Sequence, residues 1–150
     1  MSIKKPLEKI IYIYPLPSNN SIRMQREEQI TAAYFDLLGQ HLDDLLTGKV
    51  IQMFELNQIA DRLSVSHKQL IQLMKKQYGQ HPCFFYDQKI LDRSKQLLRD
   101  SDWPVAKIAL RLTYDPSNFS KFFKKYTQQT PGQFRRQAYL EKSKKEKSSP

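Results

Sequence analysis

Two short stretches of this sequence each present polar and basic side chains at helical spacing, and neither presented face contains a carboxylate. Residues in the first two turns of such a helix reach deepest into a groove of DNA, where glutamine can pair with adenine and lysine with guanine. An isoleucine side chain can meet a thymine methyl group. The candidates for base contacts are Lys68, Ile71 and Gln72 in the first stretch, and Ser117, Ser120 and Lys121 in the second.

A second set of side chains, mostly basic, would position the protein on the phosphate backbone without reading its sequence. A lysine pair on a helix is by itself usually only a solvated face. Contact with DNA is favoured here because both stretches keep the pair at the same place, beside the same apolar pattern. The candidates for phosphate contacts are His67, Lys75, Lys76, Lys124, Lys125, Arg135 and Arg136.

Both stretches belong to an internal repeat, since Phe119 follows Leu70 and Pro131 follows Pro82 by the same 49 positions. A repeat that stays in register over about thirty residues indicates a duplicated structural unit. Each copy reads as a short helix, a tight turn and a second helix, which is the helix-turn-helix arrangement. In such a unit the second helix can lie in the DNA major groove while the first crosses over the backbone.

No residue set in the sequence is spaced for catalysis or for metal binding. The three histidines lack metal-ligand spacing, and Asp43 and Asp44 are neighbours on different sides of a helix rather than a catalytic dyad. Cys83 is the single cysteine, which excludes an intrachain disulfide and a cysteine-built metal site. We therefore expect neither an enzyme nor a bound cofactor.

The composition favours an anionic partner. With 25 lysines and arginines against 15 acidic residues, the 150-residue chain carries a net charge of +10. This charge permits nucleic acid, a membrane surface or an acidic protein as the partner and does not choose among them. No apolar run approaches the roughly 20 residues of a membrane span, and the run KIIYIYPL has no small-residue cleavage site after it. A reducing cytoplasm is the simpler interpretation of the cysteine usage.

The elements that must position these side chains are nearly all helical. The periodicity predicts an all-α fold of two homeodomain-like helix-turn-helix subdomains, joined by a linking helix about 27 Å long. The predicted segments are an N-terminal extension with a short IIYIY strand and a linker (1–22), a helix from Arg23 to Thr47 that packs on the domain (23–54), the first helix-turn-helix (55–81), the linking helix (82–100), the second helix-turn-helix with a closing helix through Tyr139 (101–140), and a disordered basic tail (141–150).

Capping residues support these boundaries. Ser66 and Thr130 each stand three residues before a glutamine, which is the pattern of a capping box. Gly79 is placed to end the second helix of the first unit. Asp115 and Pro116 are placed to begin the second helix of the second unit.

The pattern L-x-x-I-A-x-x-L-x-V-S, then L-x-x-L-M-K-K-x-x-G-x-x-P, then F-S-K-F-F-K-K and T-P-x-x-F-R, resembles the AraC/XylS transcription regulators from Leu56 to Arg136. The resemblance implies a seven-helix DNA-binding domain whose two units enter adjacent major grooves on one face of the DNA. It also implies a transcription activator that contacts RNA polymerase. By the same resemblance, residues 66–76 and 116–125 are the two recognition helices.

The sequence departs from the family pattern at three places. Thr113 and Tyr114 stand where the family has Gly-Phe, in a turn that is one residue shorter, and a shorter turn re-aims the second recognition helix. Gln128 stands in place of a glycine and Ile90 in place of an arginine. Only about fifty residues precede the motif, too few for the family's sugar-binding barrel, so the chain is either a stand-alone regulator or a reduced descendant that lost its sensor.

The leading hypothesis is a sequence-specific transcription regulator that binds an asymmetric site, with half-sites about 34 Å apart in successive major grooves. Its expected partners are double-stranded DNA and RNA polymerase, and no membrane is expected. The N-terminal helix is the candidate surface for a homodimer. One alternative is an architectural DNA-binding protein of weak specificity. Another is a helical interaction module whose basic faces bind an acidic protein.

Overall fold

The computed structural model describes residues 18–148, and these residues form seven α-helices and no strand. This confirms the predicted all-α fold with two helix-turn-helix units. The predicted IIYIY strand lies outside the described residues. The helices are α1 (Asn19–Thr47), α2 (Leu56–Arg62), α3 (His67–Tyr78), α4 (Pro82–Asp100), α5 (Val105–Arg111), α6 (Pro116–Thr127) and α7 (Pro131–Lys147).

Helix α1 begins one turn earlier than the sequence pattern predicts. The prediction placed its start at Arg23 and assigned the preceding SNNS to a linker, but Ser18 is the N-cap and its side chain accepts a hydrogen bond from the amide of Ser21. At the other end, Gly48 takes the left-handed conformation with φ of 78°. This conformation favours glycine, and a β-carbon at Gly48 would also require the Arg111 guanidinium to move.

Helix α1 contributes to the cores of both helix-turn-helix units. Tyr34 and Leu38 are fully buried in the core of the first unit, with side chains of α2 and α3. One to three turns further along, Leu42 and Leu45 are buried in the core of the second unit. The apolar stripe of α1 is therefore covered by the chain itself, and this helix joins the two units.

Helix α4 is the second connection between the units. It has 19 residues, which corresponds to about 28 Å of helix. Its N-terminal part packs against the first core through Phe85, and its later turns place Leu91 and Leu98 in the second core. Ile90, which stands where the family has arginine, is also buried in that core. The Tyr34 hydroxyl donates a 2.6 Å hydrogen bond to the carbonyl of Pro82, so α1 and the start of α4 are held together.

A buried histidine anchors the segment between α1 and α2. The Nε2 atom of His41 accepts a hydrogen bond of 3.1 Å from the amide of Phe54, and the two rings stack with centroids 3.7 Å apart. The Arg62 guanidinium lies 4.0 Å from the centre of the Phe54 ring. Burial lowers the pKa of His41, and the Asp44 carboxylate opposes this only in part. The imidazole is therefore neutral in the folded chain at pH 7.

Protonation of His41 is expected to make the fold less stable in acid. Because its pKa is lower in the folded than in the unfolded chain, the unfolded chain takes up the additional proton, and stability falls as the pH drops below about 6.5. One such group gives at most about 1.4 kcal/mol per pH unit. The variant His41→Gln keeps an acceptor for Phe54 but does not titrate. In urea unfolding followed by circular dichroism, it should lose less stability than the wild type between pH 7 and 5. Parallel curves for the two proteins would contradict this role.

The closing helix α7 continues well past Tyr139. The prediction of a disordered tail over 141–150 is wrong as far as Lys147, where the helix ends. Lys142 donates a 2.7 Å hydrogen bond to the carbonyl of Arg99 and pairs with the Asp100 carboxylate at 3.1 Å. These contacts tie the basic extension of α7 to the C-terminal end of α4.

Candidate nucleic-acid interface

The two helix-turn-helix units have the same local plan. Each has a first helix of 7 residues and a second helix of 12 residues. The intervening turns, 63–66 and 112–115, are equal in length. In both turns the second residue is left-handed, with φ of 57° at Ser64 and 65° at Thr113. The second turn, which is shorter than the family pattern, therefore follows the path of the first.

The residues that replace family glycines adopt glycine-like conformations. Thr113 is β-branched, and a left-handed backbone costs such a residue about 1–2 kcal/mol. Gln128 ends α6 with φ of 63°, just as Gly79 ends α3 with φ of 69°. At these two positions the second unit therefore has the same backbone path as the first, although neither residue is glycine.

Helix α3 begins at the predicted capping box. The Ser66 hydroxyl accepts from the amide of Gln69 at 3.0 Å, and the Gln69 side chain accepts from the amide of Ser66 at 2.8 Å. Leu70, Leu73 and Met74 point into the core. The opposite side of the helix is thereby fixed toward solvent.

The outward side of α3 carries the predicted base-contacting residues in one stripe. Lys68, Ile71, Gln72 and Lys75 follow one another at spacings of three, one and three, so they share a face. Lys68, Gln72 and Lys75 are exposed, and Ile71 is partly buried. His67 is also exposed at the start of the helix. The structure places the three base candidates of this unit side by side.

Lys76 differs from the other basic residues of α3 because it forms an ion pair. Its Nζ atom lies 2.9 Å from the Glu27 carboxylate of α1. The hydrogen bond from Lys76 is the first cause that lowers the pKa of Glu27, so this carboxylate is ionised at neutral pH. A phosphate at Lys76 would share its ammonium group with Glu27.

Helix α6 begins at Asp115, as the sequence predicts. The Asp115 carboxylate accepts hydrogen bonds from the amides of Ser117 and Asn118, at 3.1 and 3.4 Å. It also accepts from the Ser117 hydroxyl at 2.9 Å, and this bond is the first cause that lowers the pKa of Asp115. The Ser117 hydroxyl is thus engaged at the cap, although its side chain is exposed.

The outward side of α6 repeats the register of α3. Phe119 and Phe123 are fully buried, while Lys121, Lys124 and Lys125 are exposed. Among the described acidic residues, none interrupts this face. The remaining base candidates of the second unit are Ser117, which is exposed, and Ser120, which is partly buried.

Arg135, a predicted phosphate contact, donates two hydrogen bonds within the fold. Its Nε donates to the carbonyl of Leu98 at 3.1 Å, and its Nη2 donates to the carbonyl of Ser101 at 3.3 Å. These bonds satisfy carbonyl groups at the C-terminal end of α4. Arg135 is partly buried and the neighbouring Arg136 is exposed, and both stay predicted phosphate contacts.

Sequence reasoning missed a basic groove beside α3. It has a volume of about 610 Å³ and lies between the first turns of α1 and the flank of α3. Arg23 and Arg26 of α1 line it together with Lys76. The two arginines lie within the helix that the sequence predicts from Arg23, but no sequence pattern shows that this helix lies beside α3.

The part of the chain that the structure describes has neither a metal cluster nor a membrane-spanning helix. Between residues 18 and 148, no three acidic, histidine or cysteine side chains are arranged to hold a metal ion. No helix in the same range combines the length and apolarity needed to cross a membrane.

A known family matches more than half of the sequence. The profile of a family described as a helix-turn-helix domain matches residues 59–137. Among curated proteins, an uncharacterised HTH-type transcriptional regulator from Haemophilus influenzae is 27% identical over 143 residues, which is 93% of this chain and 47% of the relative. The chain spans about half the length of that relative.

Solved structures of regulators from other organisms have a similar fold. The C-terminal domain of AraT, a response regulator from Geobacillus stearothermophilus, is 25% identical with a TM-score of 0.61, covering 72% of this chain and 84% of that one. An AraC-type regulator from Chromobacterium violaceum is 24% identical with a TM-score of 0.55, covering 69% and 93%. The DNA-binding domain of AdpA, solved in complex with a target DNA, is 17% identical with a TM-score of 0.61, covering 72% and 94%.

Proposed function

Because this chain belongs to the AraC-type helix-turn-helix family, we propose that it is a sequence-specific transcription regulator that binds double-stranded DNA. Helices α3 and α6 would read two adjacent major grooves. The observation that carries this proposal is the pair of equivalent recognition helices, each with an outward face free of carboxylates and each fixed in a core that shares α1 and α4.

The roles follow from position along each helix. Lys68, Ile71 and Gln72 lie in the first two turns of α3 and would contact base edges in one groove. In the other groove Ser117, Ser120 and Lys121 would take the same role. The Ser117 hydroxyl would then be shared between a base edge and the Asp115 carboxylate. Side chains further along or at the ends of the helices would contact phosphates: His67, Lys75, Lys76, Lys124, Lys125, Arg135 and Arg136.

We infer an activator that contacts RNA polymerase, on the basis of the family resemblance. A surface suited to a protein partner lies outside both recognition helices. It is a groove of about 580 Å³ where Ile51 is 81% exposed and Leu110 is 64% exposed, flanked by Lys107 and Arg111.

A homodimer through α1 would have to use the outer face of that helix, since its inner stripe is buried within the chain. The exposed apolar side chains there are Ile22 and Met24. We place the protein in the cytoplasm, where a bacterial regulator meets its DNA, and assign it no catalytic role.

Two single substitutions separate reading of bases from contact with phosphates. Gln72→Ala should cost about 1–3 kcal/mol on the best site and relax the preference at one base pair.

Lys124→Ala should weaken binding to all duplexes alike and lower the salt slope of log Kd by about one. Fluorescence anisotropy on a selected site, its single-base variants and random duplex, at several salt concentrations, measures both effects.

The same titrations decide between specific and non-specific function. A specific regulator should prefer its site over random duplex by about 10³ or more. Equal affinity for all duplexes would favour an architectural protein. No salt-dependent binding to DNA at all would favour a protein-interaction module. A uniform loss in Gln72→Ala across sequences would make that residue a backbone contact.

A further inference from the structure

The basic groove beside α3 brings three cationic side chains together around one carboxylate. Arg23 and Arg26 come from the first two turns of α1, and Lys76 comes from the third turn of α3. The carboxylate belongs to Glu27. The groove is therefore built from two helices and carries a net positive charge of about two.

The Glu27 carboxylate forms ion pairs with two of these three cations. One of its oxygens lies 3.3 Å from Nε of Arg23, and the other lies 2.9 Å from Nζ of Lys76. The Glu27 side chain is only 18% exposed, against 75% for Arg23 and 60% for Lys76. The carboxylate thus sits at the base of the groove, and the cations extend toward solvent. Among residues 18–148, Arg26 makes no ion pair.

The groove borders the face of α3 that would read DNA. Gln72 belongs to the outward stripe of α3 and also lines the groove, and Lys76 follows it one turn later on the same side. A duplex whose base edges meet the outward stripe of α3 would therefore place the adjoining backbone strand on the side of Gln72 where the two arginines lie. Arginine is suited to that position because its planar fork matches phosphate oxygens and it is always charged.

We propose that the first turns of α1 are a third DNA-contacting element. Arg23 and Arg26 bind backbone phosphates at the edge of the major groove that α3 reads, and Glu27 positions Arg23 and Lys76 for this contact. The proposal rests on the proposed DNA-binding function and extends the contact surface beyond the two helix-turn-helix units. It adds affinity on the side of the first unit and no base specificity.

The test compares the wild-type chain with Arg23→Ala/Arg26→Ala on a selected duplex and on random duplex. Loss of two phosphate contacts should reduce the salt slope of log Kd by about 1.8. The affinity lost between 50 and 200 mM salt should then shrink by roughly tenfold, with the base preference unchanged. Hydroxyl-radical footprinting should show lost protection only at the outer edge of the half-site that α3 contacts. Circular dichroism checks that the exposed substitutions leave the helix content unchanged.

The matched control is Lys144→Ala/Lys145→Ala on α7, which removes the same charge from two exposed positions. This control should leave the salt slope near the wild-type value. A slope for the arginine variant equal to the wild type, or changed no more than in the control, would overturn the inference. Failure of the wild-type chain to bind any duplex would instead reject the proposed function.

A free anion is the other source of phosphate chemistry for this groove. Inorganic phosphate titrated into the wild-type chain and followed by amide NMR tests that source directly. Shifts at Gln72 and Lys76, together with an unchanged salt slope in the arginine variant, would make the groove a small-anion site and would refute the DNA contact. Absence of such shifts with a reduced slope supports it.

Discussion

A duplex with five base pairs inserted between the two half-sites is expected to bind this chain about 10³-fold more weakly than the intact site. Five base pairs are about half a helical turn, so the second major groove would face away from α6. The chain would then hold only one half-site by specific contacts. The measurement is a pair of anisotropy titrations at one salt concentration.

The expected loss is large because the two units cannot rotate independently. Helix α1 places Tyr34 in the first core and Leu45 in the second, and α4 likewise packs against both. Tyr86 of α4 packs against both cores. Rotation of one unit by half a turn would expose buried side chains of both connecting helices, at about 25 cal/mol for each Å² of apolar surface.

A duplex that carries only the first half-site provides the control. It should bind about as weakly as the duplex with the insertion, because both offer one groove in register. Equal affinity for the intact and the interrupted sites would show that the two units move freely and are not held in a fixed relative orientation.

Replacement of Phe123 by alanine is expected to destabilise the fold by about 3–5 kcal/mol. Phe123 is fully buried on the inner side of α6. Its ring lies 6.0 Å from that of Phe119 and 5.4 Å from that of Phe134 of α7, measured between centroids. Truncation leaves a cavity in the centre of the second core that these neighbours cannot fill. Urea unfolding followed by circular dichroism gives the change in free energy.

The same substitution tests how the second unit contributes to binding. With its core loosened, α6 is no longer held against α5 and α7, so affinity for the intact site should fall toward that for a single half-site. Tyr139→Ala removes an aromatic ring that is 72% exposed and should change stability by no more than about 0.5 kcal/mol. A loss below 1 kcal/mol in Phe123→Ala would mean that the second core does not depend on this ring.

The features predictable from the sequence are those set by local chemistry and by the repeat. The capping box at Ser66, the proline start at Pro116 and the glycine end at Gly79 all act within four residues, and each is found where predicted. The offset of 49 positions also holds in three dimensions, since Ser64 and Thr113 take the same left-handed conformation. The carboxylate-free faces follow directly from these registers.

The features that the sequence could not provide depend on distant partners. Arg135 reads as one of two adjacent basic residues, and only the fold shows that the end of α4 lies beside it. Lys142 belongs to a charged tail whose helix is tied to Asp100, 42 positions earlier. The groove beside α3 forms because Lys76 pairs with Glu27, which lies 49 positions earlier in the chain. Such contacts leave no periodic signal in a single sequence.

The central claim is that one polypeptide binds two successive major grooves on one face of DNA. Hydroxyl-radical footprinting of the wild-type chain on a selected site tests this most directly, with the stoichiometry measured in parallel. We expect two protected regions about one helical turn apart, without two-fold symmetry, at one chain per duplex. Protection confined to one groove, or a symmetric pattern that requires two chains, would contradict the claim.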